Sequence, residues 1–359
     1  MTYLTESTAL DTEILAVIEK WHLEGESLDE RSFNDLALRL FAYQLEYNKP
    51  YARYCAQLGI TSTPPSWERI PPVPAAAFKE ASLTTFDPAK AALVFETSGT
   101  TRGAPGRHYM ETPEIYDAAL LAAFDRFMLR DGARLRYFNC VPNPVEHPQS
   151  SLGYMMARVS QSRGDARTGW YLSGDELLFD SFCSDLQAAV AQRQPVCLAA
   201  TAFALVNLLD GLDEARIRIA LPQGSRLMET GGFKGRARIV DRDELYARVY
   251  EVLGLGLEAI VAEYGMTELT SQYYDVTPAG HKAGPPWLRT RVVGLQGSTL
   301  SQGTIGALVH VDLANRCSCL AIETEDLGMG TAEGLLLVGR NAEAPLRGCS
   351  LDAEELRVQ

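Results

Sequence analysis

The sequence predicts an α/β fold: a large domain of helix-covered sheets, followed by a β-rich subdomain. Two observations predict it. From Ala91 to about Gly284, short apolar runs of strand character alternate with helical stretches, the rhythm of a sheet covered by helices. Beyond Gly284 the texture changes to strand-like runs separated by Gly, Asn and Asp turns. With 359 residues, 46% of them hydrophobic and 22% charged, the chain has ample material for a packed core.

Residues 1–70 read as a helical segment and a Pro-rich connector. "LDTEILAVIEKWH" and "SFNDLALRLFAYQLEYNKPYARYCAQLG" place apolar residues at three- and four-residue intervals, with Ser32 and Asn34 as candidate caps of the second run. The prolines of "TSTPPSWERIPPVPAAAF" forbid a helix interior and favour an extended path. Residues 71–283 form the α/β core, with "AALVFE", "LRYFNCV", "VCLAAT", "SRLMET" and "LEAIVAEYG" as strands and "EIYDAALLAAFDRFML" as a helix. Residues 284–340 form the β-rich subdomain: "RTRVVG", "GALVHVDL", "CSCLAIET" and "GLLLVGR". Residues 341–359 read as a loop and short helix with Ser350 as a possible cap.

Composition excludes several functions. A formal charge of −13 and the lack of a basic stripe argue against nucleic acid. No apolar run nears the ~20 residues needed to span a bilayer, and the start has no signal-peptide pattern, so a cytoplasmic protein is expected. Seven scattered cysteines do not form a disulfide framework. Cys317 and Cys319, two apart, are expected on one face of a buried strand rather than on a metal.

The segment carrying most chemistry is "VFETSGTTRGAPGRH", Val94 to His108. An apolar strand runs into a loop of small hydroxylated residues and glycines. The hydroxyls of Thr97, Ser98, Thr100 and Thr101, with backbone N–H groups at Gly99 and Gly103, can donate to phosphate oxygens without bulky side chains intervening. It is neither a Walker loop nor G-x-G-x-x-G.

The order of these residues resembles the phosphate loop of adenylate-forming enzymes, the superfamily of acyl-CoA synthetases, luciferases and nonribosomal adenylation domains. That resemblance implies further motifs in a set order, and they are present. "EYGMTEL" (Glu263 to Leu269) resembles the segment in which Tyr264 meets adenine, Thr267 the α-phosphate and Glu268 Mg²⁺, with Gly265 between them. "METGGFKG" resembles the adenine-lining strand end, where Gly231 and Gly232 let a planar base approach the backbone. "TEDLG" resembles the ribose-binding segment, giving Asp326, and Arg340 in "GR" stands where an Arg contacts ribose or phosphate. ATP and Mg²⁺ are the implied cofactors. The implied fold is a superfamily-like large domain; because the chain ends 19 residues after Arg340, a truncated C-terminal lid without the superfamily's catalytic Lys is expected, so that either donors of the main domain, with Lys234 or Arg107 nearby, suffice or a partner supplies the charge.

Seven phrases, among them "IPPVPAAAFKE", "HPQSSLGYMM", "METGGFKGR" and "GPPWLRTRVV", resemble the acyl-protein synthetase family of the LuxE type over about residues 70 to 356. This implies activation of a carboxylic acid, a fatty acid in the known members, to acyl-AMP. Capture by a C-terminal cysteine, here Cys349, and transfer to an acceptor such as a reductase subunit would follow. Cys349 lies beside Arg347, which favours the thiolate, while Asp352 and Glu354 oppose it. An acyl-CoA or acyl-carrier-protein ligase of the phenylacetate type, and a non-catalytic nucleotide-binding subunit, are the alternatives. His108 and His147 are candidate substrate neighbours, and Tyr154 and Met155 candidate channel residues.

Overall fold

The computed structural model describes residues 2–97, 104–231, 241–294 and 297–340. They form two units, one comprising residues 1–123, 266–272 and 280–359, the other 124–265 and 273–279.

In the first unit, α1 (Tyr3–Glu24) buries Leu10, Ile14, Ile18 and Trp21, one stripe at helical spacing. It stops at Gly25, whose φ of 72° takes the left-handed conformation that closes the last turn. α2 (Glu30–Tyr47) begins two residues before Ser32. Its cap is Asp29, whose side chain accepts from Ser32 N at 2.7 Å, because a carboxylate at the helix start satisfies an orphan N–H and meets the positive end of the dipole. Asn34 caps nothing and accepts from Trp67 N instead. The helical run also breaks: Asn48 ends α2 and caps α3 (Lys49–Gln57), since Pro50 has no N–H to donate to the Glu46 carbonyl of a continuous helix, whereas it fits a first turn. The connector then runs through β1 (Val73–Pro74) and the single turn α4 (Ala77–Glu80) to a hairpin of β2 (Leu93–Glu96) and β3 (Arg107–Met110). α5 (Glu114–Phe127) carries the chain out of this unit.

The second unit is a mainly parallel sheet wrapped by helices. In chain order it holds β4 (Arg136–Cys140), α6 (Ser151–Arg163), β5 (Gly169–Trp170), the small hairpin β6 (Leu172–Ser173) and β7 (Glu176–Leu177), and α7 (Phe179–Ala191). β8 (Val196–Thr201), α8 (Ala202–Glu214), β9 (Arg226–Thr230), α9 (Arg242–Leu253), β10 (Ile260–Tyr264) and β11 (Tyr273–Asp275) complete it. The strand order is β11-β10-β9-β8-β4-β5, antiparallel only at β11. Helices cover the strands, so β8 is an unbroken buried run from Val196 to Ala200 rather than an alternating one. Leu186, Leu205, Leu209, Val249 and Leu253 pack there in one cluster.

Back in the first unit, β12 (Lys282–Ala283), β13 (Leu288–Val293), β14 (Ile305–Asp312), β15 (Ala321–Thr331) and β16 (Gly334–Arg340) form an antiparallel sheet in the order β13-β14-β15-β16-β12. β16 pairs with β15 only from Asp326 onward, and β1 pairs in parallel with Ile322 and Glu323. The connector is thereby built into the sheet. Cys317 and Cys319 are not on a strand, contrary to the alternation argument. They lie in the loop between β14 and β15, whose backbone is held by side chains: Gln44 Nε2 donates to Asn315 O, Gln44 Oε1 accepts from Leu320 N, and Asn48 Nδ2 donates to Ser318 O. Cys319 is buried there, where burial pushes its thiol well up.

Candidate functional site

The β2–β3 hairpin pairs Phe95 with His108 and Glu96 with Arg107. Beyond it, Thr97 N donates to Gly106 O at 2.9 Å and Gly106 N donates back to Thr97 Oγ1 at 2.9 Å. Thr97 thus closes the neck of the hydroxyl-rich loop, and its own hydroxyl proton is not used in that bond. Gly106 suits this neck: a Cβ there would stand 3.2 Å from Thr97 Cγ2 and 3.4 Å from the Phe78 backbone. Ser98, Gly99, Thr100, Thr101 and Gly103 lie outside the described residues. Arg107 donates to Glu96 at 2.9 Å.

His108 points inward and is 1% exposed. Its Nδ1 is 2.8 Å from Thr267 O, and since a carbonyl only accepts, Nδ1 carries the proton. Burial pushes this imidazole down to about 4, against hydrogen bonds to Thr267 and the Asn315 side chain, so it stays neutral at pH 7. The hairpin that carries the loop therefore holds the Thr267–Glu268 turn directly. Thr267 is partly exposed, whereas Glu268 is buried.

Two residues that sequence reasoning missed hold the rest of this segment. Asn315 Nδ2 donates to Glu268 O and to Cys319 O, both at 2.9 Å, and its Oδ1 accepts from Thr270 Oγ1. Asp312, fully buried at the end of β14, accepts Thr270 N and Ser271 N on Oδ2, and Ser271 Oγ and Ala314 N on Oδ1, at 2.9–3.0 Å. Trp287 Nε1 donates to Ser271 Oγ. Burial raises the Asp312 carboxyl to about 6 despite these donors. The available signal was the polar "DLAN" interrupting two apolar strands, a turn pattern whose side chains bond nearby backbone.

Asp326 and Arg340 are register partners on β15 and β16, with Arg340 Nε 2.9 Å from Asp326 Oδ1. The carboxylate expected to hold ribose hydroxyls thus already carries a guanidinium. In the second unit, Thr230 pairs with Glu263 across β9 and β10 and its hydroxyl bonds the Glu263 carboxylate, so Gly231 and Tyr264–Gly265 leave two adjacent parallel strands at their carboxyl ends. Open α/β sheets bind ligands at such ends. Gly231 has φ 67°, a conformation open to glycine, and the Tyr264 ring lies 5.8 Å from that of Tyr273. Gly232, Lys234 and Cys349 lie outside the described residues. His147 is exposed in a turn, while Met155 is buried in α6 with Tyr154 half-buried beside it.

No family model and no curated protein matches the chain. Solved structures do. An open-conformation 2-hydroxyisobutyryl-CoA ligase in complex with 2-HIB-AMP and CoA is 13% identical with a TM-score of 0.61, over 88% of this chain and 70% of that one. ATP-bound MatB from Rhodopseudomonas palustris is 17% identical with a TM-score of 0.52, over 71% and 49%. McyG A-PCP complexed with phenylalanyl-adenylate is 18% identical with a TM-score of 0.51, over 72% and 48%. The fold is that of the adenylate-forming enzymes. The chain spans about half the length of MatB and of McyG A-PCP in these comparisons.

Proposed function

We propose that the chain activates a carboxylic acid with ATP: a carboxylate oxygen bonds to the α-phosphorus, the bond to pyrophosphate breaks, and acyl-AMP and pyrophosphate result. The observation that carries this reading is the Thr267–Glu268 turn, its Glu268 buried and its Thr267 carbonyl held by His108 from the same hairpin that carries the hydroxyl-rich loop. The attack brings two anions together, so donors fixed in advance around the phosphate are what the reaction needs. Thr267 is the α-phosphate donor in this reading, and the donors of Thr97–Thr101 neutralise charge building on the phosphate oxygens. Tyr264, Gly265, Gly231 and Gly232 receive adenine, and Asp326 with Arg340 receives ribose.

Among the described residues no cluster of three or more His, Cys, Asp or Glu could hold a metal. Mg²⁺ bound with a nucleotide needs only one or two carboxylates plus phosphate oxygens. Glu268 would hold it, and bound Mg²⁺ would neutralise charge on those oxygens.

The finer reading is a fatty acid, capture of the acyl group by Cys349 and transfer to an acceptor protein such as a reductase subunit, supported by the phrases that resemble the acyl-protein synthetase family. Coenzyme A as acceptor is the second reading, favoured by the likeness to a CoA ligase. One experiment tests both levels. Acid-dependent exchange of pyrophosphate into ATP is expected, falling about 10²- to 10³-fold in Glu268→Gln; absence of exchange with any acid refutes adenylation. With labelled acid and ATP, protein-bound label lost in Cys349→Ser supports capture, and label only on added CoA refutes it.

A further inference from the structure

Arg316 is charged yet only 1% exposed. It sits in the β14–β15 loop and its guanidinium forks onto Asp11 of α1, Nε to Oδ1 at 2.6 Å and Nη2 to Oδ2 at 3.0 Å. Nη1 donates to Glu111 Oε2 at 2.8 Å and to the Tyr43 hydroxyl of α2 at 3.3 Å. Tyr3 OH donates to the same Glu111 oxygen at 2.8 Å. One buried cation therefore ties two N-terminal helices to the loop and to the residue that follows β3.

Burial holds the Asp11 carboxyl above its ordinary range, against the pull of Arg316. A pair kept at that desolvation cost is weak support for stability and makes sense where geometry must be exact to a fraction of an ångström. Geometry is what it controls here. Asn315, the neighbour of Arg316, donates to the carbonyl of Glu268, and His108, three residues before Glu111, donates to the carbonyl of Thr267. Both carbonyls of the turn are thus held by residues adjacent or nearly adjacent to the clamp.

We infer that Arg316 is a positioning residue for the Thr267–Glu268 turn, through which α1 and α2 set the geometry of the site; this rests on the reading that the turn faces the nucleotide. Asp11→Asn and Glu111→Gln remove one charge each and keep side-chain shape. Assayed in the full-length protein well below its melting temperature, both lower kcat of pyrophosphate exchange about ten- to a hundredfold and raise the Mg²⁺ concentration for half-maximal rate, with KM for the acid unchanged. A merely structural clamp lowers the melting temperature alone, and folded variants with parental kcat and Mg²⁺ dependence overturn the inference. Should neither fold, Tyr3→Phe, which leaves every charge in place, carries the test: a fall in kcat of about threefold supports it and parental values overturn it. Glu268→Gln in parallel separates the two levels, because full exchange in that variant defeats the functional reading itself, whatever Asp11→Asn does.

Discussion

At the scale of single residues, three buried groups of the first unit give the protein a definite response to acid. His108 and His310 are both pushed down to about 4 by burial, His310 against the attraction of Asp326. Between about pH 6.5 and 4 the unfolded chain takes up protons at these two positions and the native state does not, so their contribution is complete above 6.5 and is lost as pH falls. Asp312 works the other way: raised to about 6, it holds a proton in the native state that the unfolded chain releases, so acidification below 6 favours folding at that site. Two groups against one leave stability rising with pH. His310→Gln, which can keep a hydrogen bond to Thr290, is expected to flatten the slope between pH 4.5 and 6 by about 1.4 kcal/mol per pH unit, measured by urea denaturation at several pH values. Residues of this kind were the least legible in the sequence. Thr267 and Glu268 stood out because they lie in a motif, whereas Asp312 and Asn315 act on that motif from more than 40 positions away and look like an ordinary turn.

At the scale of elements, patterning was legible where one rule dominated. The strands of the second unit read correctly because parallel strands covered by helices are continuous apolar runs, as Val196–Ala200 shows. Patterning failed where a distant side chain replaced a backbone partner. Cys317 and Cys319 alternate like strand residues, yet their segment is held by Gln44 and Asn48 of the helical N-terminus, partners 270 residues or more away in the chain. The start of α2 was misread because the better cap, Asp29, precedes the first apolar residue by four positions. Where β16 begins, Gly334 has φ 139°, and a Cβ there would stand 2.5 Å from Lys282 O on the paired strand β12. Gly334→Ala is therefore expected to destabilise the protein by about 1–3 kcal/mol, read as a lowered melting temperature, by straining the backbone and separating β12 from β16.

At the scale of the whole chain, the fold class was the most legible feature of all: an α/β rhythm followed by β-rich texture survives into solved structures that share only 13–18% identity. The described helices include none long and apolar enough to cross a membrane. What sequence order does not reveal is that the first unit is assembled from both ends of the chain, with β1 pairing on β15 and Arg316 meeting Asp11 across 305 positions. During synthesis, α1 and α2 leave the ribosome long before Arg289, which lies over the Phe33 ring, and Arg316, which bonds Asp11 and Tyr43, exist. A nascent chain halted after residue 123 should therefore be protease-sensitive and a client for holding chaperones, gaining resistance only once Arg316 and β15 have emerged.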